Sequence, residues 1–101
     1  MTDEFDKILR PFRDEIDSLD KEIVDLLVKR EKIIREVANV KFDNNVPAIL
    51  KNRVNEVLVH VKSHAQKKGT DGQYVEKIYT DIIHASCDLE TIIFTNKKTK
   101  S

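Results

Sequence analysis

The chain has 101 residues, with 18 Lys+Arg balanced by 18 Asp+Glu, and only one cysteine, two glycines and two prolines. Its length fits a single domain spanning residues 1–101, and its zero formal net charge argues against a nucleic-acid binder, whose phosphate partner calls for a strongly basic face. So few Gly, Pro and Cys exclude a β-sandwich, a disulfide scaffold and a Rossmann domain; the single Cys87, the acidic start (Asp3, Glu4, Asp6) unlike a signal peptide, and the lack of any apolar run near ~20 residues point to a cytoplasmic protein.

Helical periodicity dominates the pattern. Phe12, Ile16, Leu19, Ile23 and Leu26, then Ile33, Val37 and Val40, fall on one helix face by steps of three and four. Proline is tolerated in a first helical turn, so a helix is expected from about Pro11 to Phe42, with residues 1–9 as a shorter lead-in. Thirty residues at ~1.5 Å each make a rod of about 45 Å. Asp43-Asn44-Asn45 breaks the pattern, and Pro47 suits the first turn of a second helix whose apolar face is Leu50, Val54, Val57, Leu58, Val61 and Ala65. Lys67-Lys68-Gly69 ends it with glycine in the usual C-terminal place. Thr70-Asp71-Gly72-Gln73 has the form of a capping box opening a third helix, which carries Val75, Ile78, Tyr79, Ile82, Leu89, Ile92 and Ile93 inward. Residues 96–101 are expected to form a flexible, solvated tail. The fold class is therefore all-α: three helices, one very long and two shorter.

A rod of about 45 Å is too long for two helices of roughly 30 Å or less to cover its whole apolar stripe. A small chain alone also buries little surface. An intertwined homodimer is the simplest remedy.

Charges interrupt the expected core. On a heptad placing Ile16, Ile23 and Val37 at one seam position, the missing member is Arg30. A guanidinium there is costly unless it meets an anion, either a carboxylate of the protein or an anionic ligand. Lys41 lies three turns farther on the same face, about 16 Å along the backbone. Arg13 lies about 25 Å from Arg30 in the other direction, so it could join the same pocket only from a second subunit. Arg53 sits beside Val54 on the inner edge of the second helix, and Ser86 and Glu90 interrupt the apolar side of the third at i and i+4. Any one of these cations alone reads as an ordinary solvated charge; the set is what points to an anionic small molecule.

The run Phe12-Arg13-Asp14-Glu15-Ile16-Asp17-Ser18-Leu19-Asp20-Lys21-Glu22-Ile23-Val24-Asp25-Leu26-Leu27, followed by Lys29-Arg30 and Val40-Lys41, resembles the opening helix of the all-helical AroQ chorismate mutases. The resemblance continues through Val46-Pro47, Arg53, Gly69-Thr70-Asp71, Tyr74-Val75 and Ile82-Ile83 to Ser86 and Glu90, covering roughly residues 10–94. It implies an intertwined helical homodimer that rearranges chorismate to prephenate, in aromatic amino-acid biosynthesis, with no cofactor and no metal. By position, it implies that Arg13 of the partner subunit and Arg30 of the same chain bind substrate carboxylates. Lys41 would donate to the ether oxygen of the breaking C–O bond, Arg53 and Ser86 would complete the polar wall, and Glu90 would face Lys41 across that oxygen, where many relatives have Gln. A pericyclic step needs no nucleophile or general base. It gains from holding a flexible dianion compact and from cations aimed at the oxygen that gains charge. If Glu90 donates to that oxygen it must carry a proton, so activity is expected to fall as pH rises and Glu90→Gln to flatten the profile.

Two positions depart from the mutase pattern. Leu50 and Val54 stand where many mutases carry an Asp and a Glu that bind the substrate hydroxyl region. An apolar residue at Val54 resembles the isochorismate-pyruvate lyase branch of the superfamily, which makes salicylate and pyruvate through nearly the same cationic pocket. A third reading is a non-catalytic helical dimerisation module, which would give no reason for Arg13, Arg30, Lys41 and Arg53. Other signals carry less. His60 and His64, at i and i+4, have no third ligand at suitable spacing for a metal. His84 reads as a packed or surface residue, Cys87 as a near-core side chain without a partner base, and Tyr74 and Tyr79 as core or interface aromatics.

Overall fold

The structure, a computed structural model, describes residues 3–100. It is all-α, with α1 (Asp3–Asp43), α2 (Lys51–Lys67) and α3 (Gln73–Lys100), as the periodicity predicts. Among the described residues, no helix is long and apolar enough to cross a membrane.

Four boundaries differ from the sequence-based expectation, each for a local reason. α1 starts at Asp3 and runs through Pro11, so the described part of the expected lead-in is helical; Thr2 lies outside the described residues. Asp3, Glu4 and Asp6 in the first turn oppose the positive end of the helix, whereas Pro11 leaves the Lys7 carbonyl without its helical donor. α2 starts at Lys51, four residues after Pro47, and Leu50 caps it in an extended conformation (φ −114°, ψ 102°) without a side-chain bond. A helix begun at Pro47 would commit the Ala48 carbonyl to a backbone amide, but here that carbonyl accepts from Lys41 Nζ at 2.9 Å.

At the third boundary the Asp71 carboxylate, and not Thr70, takes the free Gln73 amide at 3.0 Å. Gly72 sits between them at φ +89°. At the fourth, α3 continues to Lys100 where a flexible tail was expected from Asn96. Lys97, Lys98 and Lys100 complement the negative end of the helix.

Both helix stops close in the same way. After α2, Gly69 (φ +98°) donates to the Gln66 carbonyl and Thr70 to that of Ala65. After α1, Asn45 (φ +59°) donates to Phe42 at 3.2 Å and Val46 to Lys41 at 2.8 Å. Each is a Schellman motif, with a left-handed residue satisfying the last carbonyls.

The chain divides into two compact units, Met1–Ile33 and Ile34–Ser101. The described part of the first is the leading portion of α1 alone. Phe12, Ile16, Leu19, Ile23 and Leu26 are all more than half exposed there, so the expected apolar stripe is real but uncovered in the single chain. In the second unit α2 packs against α3. Ala38, Ala65 and Ile83 are its buried apolar side chains among the described residues. Val54, Val57, Leu58 and Val61 of α2, with Val75, Tyr79, Ile82, Leu89 and Ile93 of α3, are half-buried. Leu50, Ile78 and Ile92 are exposed, against the expectation that they face inward; Tyr74, read as a core or interface aromatic, is exposed too.

Phe42 and Phe94 meet edge to face at 5.3 Å between centroids. Lys97 lies 5.1 Å above the Phe42 ring and binds the Asp43 carboxylate at 3.3 Å.

Candidate functional site

The end of α1 and the middle of α3 bring two predicted site residues together. Lys41 Nζ donates to Glu90 Oε1 at 2.9 Å. Glu90 is 5% exposed, the one buried charged residue among those described. An ammonium and a carboxylate taken from water hold their charges only if each finds strong partners. Lys41 has two, the Glu90 carboxylate and the Ala48 carbonyl, each at 2.9 Å. An ammonium has three N–H donors, so one remains for a further acceptor.

Ser86 lies one turn before Glu90 on α3, half-buried, with its hydroxyl donating back to the Ile82 carbonyl at 3.1 Å. That back-bond is how a helix absorbs a mid-helix serine, and it places the Ser86 oxygen on the same helical face as Glu90. Within the second unit, then, Lys41 and Glu90 are in direct contact, and Ser86 shares the helical face of Glu90 with its hydroxyl turned to the Ile82 carbonyl.

Within the second unit, Arg53, Leu50 and Val54 line other surfaces. Arg53 is exposed on α2, and its guanidinium is bound to Glu56 one turn away. No hydrogen bond or ion pair joins it to Lys41 or Glu90. Leu50 and Arg53 line a shallow recess with Lys51, Asn52 and Glu56. Val54 lines a different cleft of about 400 Å³ between α2 and α3, together with Ile49, Ile83 and Cys87 and the polar Lys51, Asn55, His84 and Asp88. In the first unit, Arg13 is exposed and bound to Asp6 at 3.4 Å. Arg30 is half-buried and already engaged.

Sequence reasoning missed the Ala48 carbonyl. A main-chain acceptor has no residue-type signature, and its role depends on a turn whose path is fixed by Asn45. The sequence did carry a faint signal, because Asn is the commonest residue after Gly at a left-handed helix stop.

Comparison with known proteins places the chain in a family. The family described as "Chorismate mutase type II" matches residues 12–91. The chain is 32% identical over 90 residues to a "Bifunctional chorismate mutase/prephenate dehydratase" of Buchnera aphidicola subsp. Schizaphis graminum, which covers 89% of this chain and 22% of that protein. It is 31% identical over 78 residues to a "T-protein" of Enterobacter agglomerans, covering 77% of this chain and 21% of that one. A "T-protein" of Haemophilus influenzae is likewise 31% identical, over 73% of this chain and 20% of its own length. The chain thus spans about a fifth of the length of these relatives. No solved structure matches it significantly.

Proposed function

The chain belongs to the chorismate mutase type II family, and on that premise we propose that it catalyses the rearrangement of chorismate to prephenate. One observation carries this reading: a lysine–carboxylate pair, half-buried Lys41 with buried Glu90 at 2.9 Å, with a lysine N–H left for a third acceptor.

The reaction is intramolecular. A C–O bond breaks as a C–C bond forms, and no proton, electron pair or group leaves the substrate. Catalysis then lies in holding the dianion compact and stabilising charge on the ether oxygen. Lys41 donates to that oxygen, and Glu90 faces it from the other side. Arg30 and Arg13 of the partner subunit bind the two carboxylates, with Arg53 and Ser86 closing the wall. Arg53 reaches this role by exchanging its exposed Glu56 partner for substrate, a small cost because exposed ion pairs contribute about 0–1 kcal/mol. Neither a cofactor nor a metal enters such a scheme.

The working form is a homodimer. Support comes from the exposed stripe of α1, which a second copy would cover. Balanced charge and the biosynthetic names of the relatives support a cytoplasmic enzyme of aromatic amino-acid biosynthesis.

A second reading, isochorismate-pyruvate lyase, is favoured by one feature. Leu50 and Val54 offer no carboxylate to a substrate hydroxyl, and Val54 lines its cleft beside Ile49, Ile83 and Cys87. Parallel assays with chorismate and isochorismate, identifying the products, decide between the two. Prephenate from chorismate is the expected result. Salicylate and pyruvate from isochorismate with only feeble prephenate formation would establish the lyase, and no turnover of either would leave a dimerisation module.

A further inference from the structure

The turn that ends α1 returns twice to one residue. Val46 donates its amide to the Lys41 carbonyl at 2.8 Å, closing the Schellman motif. Two residues later the Ala48 carbonyl accepts from the Lys41 ammonium at 2.9 Å. Backbone and side chain of the same lysine are therefore held by the segment that follows it. The pivot is Asn45, the one described non-glycine residue with positive φ, at +59°. Its amide also donates to Phe42, and the neighbouring Asn44 amide donates to Val40 and Lys41.

We propose that the Asn45 turn and the Ala48 carbonyl are a positioning device for Lys41, aiming its free N–H in the site assigned above. This rests on the reading of Lys41 as the donor to substrate. A lysine side chain carries large rotamer freedom that is lost whenever it is fixed. Glu90 alone would fix one N–H and leave the ammonium free to swing about that bond. The carbonyl supplies a second fixed point, and two points define where the third N–H aims. A carbonyl suits the role because it orients the cation without neutralising it, leaving the charge for the substrate. Asn45 sets the carbonyl's place because a residue that resists the left-handed region would redirect the chain just before Pro47 and Ala48. Ala48 and Asn45 are positioning residues, since only Lys41 is argued to touch substrate.

The test pairs kinetics with a readout that needs no substrate. Asn45→Gly keeps the left-handed turn, Asn45→Ala opposes it, and Pro47→Gly loosens the chain beside Ala48 without imposing positive φ. Each variant is first checked for native helical circular dichroism. Acylation of the Lys41 amine by a lysine-selective reagent, followed by mass spectrometry, reads how firmly the ammonium is held. Asn45→Ala and Pro47→Gly should label Lys41 at least threefold faster than the parent, while Asn45→Gly should stay within twofold. With chorismate, Asn45→Ala should lose tenfold or more in kcat with KM changed less than threefold, and Asn45→Gly should recover most of it.

Unchanged labelling in both loosened variants, or equal kcat losses for Asn45→Gly and Asn45→Ala, would overturn the proposal. Should Asn45→Ala not fold, Pro47→Gly decides by the same two readouts. Absence of turnover in the parent protein would instead sink the functional reading, and the labelling arm would still judge the positioning of Lys41.

Discussion

Lys41 and Glu90 depend on each other. Removing the ammonium leaves a carboxylate that is almost wholly buried without its cation, and breaking a buried pair in this way costs about 3–5 kcal/mol. Lys41→Ala should therefore lower both stability and activity, whereas Lys41→Met, keeping most of the stem's packing, separates the two. In either variant kcat/KM for chorismate should fall by about 3 kcal/mol or more, roughly 100-fold, as for other lost preorganised donors. Arg30→Ala should lose a comparable amount. Near-parental rates for either residue would remove it from the site.

At the scale of elements, the two glycines between α2 and α3 differ in what holds them. Both have positive φ, but a Cβ on Gly69 would meet nothing within 4 Å, while one on Gly72 would lie 2.7 Å from Lys62 Cγ and 3.2 Å from the Lys62 carbonyl. Gly69→Ala should cost only left-handed strain, about 1–2 kcal/mol. Gly72→Ala adds a clash with α2 and should lower Tm further, by several degrees more for a domain of this size. Thermal melts of the two variants side by side check the order. The glycine at the end of α2 was legible because a left-handed residue closes the helix there and glycine is the residue that most readily takes that conformation. The helices themselves were legible from spacing, since period-3.6 apolar residues leave few alternatives. Their ends were not, because Pro11 is overridden by a helix extending on both sides, and the start of α2 is delayed by a hydrogen bond from Lys41 that no local pattern encodes. Of the candidate site, Ser86 and Glu90 were legible as polar breaks in the apolar face of α3, and Lys41 by its three-turn spacing from Arg30. The pairing of Arg53 with Glu56 was not, since i,i+3 charge pairs are common and carry little energy.

At the scale of the whole molecule, charge balance and an exposed apolar stripe point the same way. If a second copy covers α1, Ile23→Asp should convert the dimer to monomer by sedimentation, and the parental Tm should rise with protein concentration. A Tm independent of concentration would count against the dimer. A dianionic cyclic analogue of the transition state should raise Tm in the parent protein and much less in Arg30→Ala, because only a native state that binds the ligand gains from it. The sparseness of the core has a calorimetric consequence as well. Heat capacity rises on unfolding in proportion to the apolar surface that becomes wetted, and a solitary chain burying little beyond Ala38, Ala65 and Ile83 has little to wet. Its melt would be broad, with a shallow step between the two baselines. Closing the α1 stripe against another chain would bring the increment toward the ~12–15 cal/mol/K per residue of ordinary globular proteins, so the height of that step measures directly how much of the stripe is kept dry.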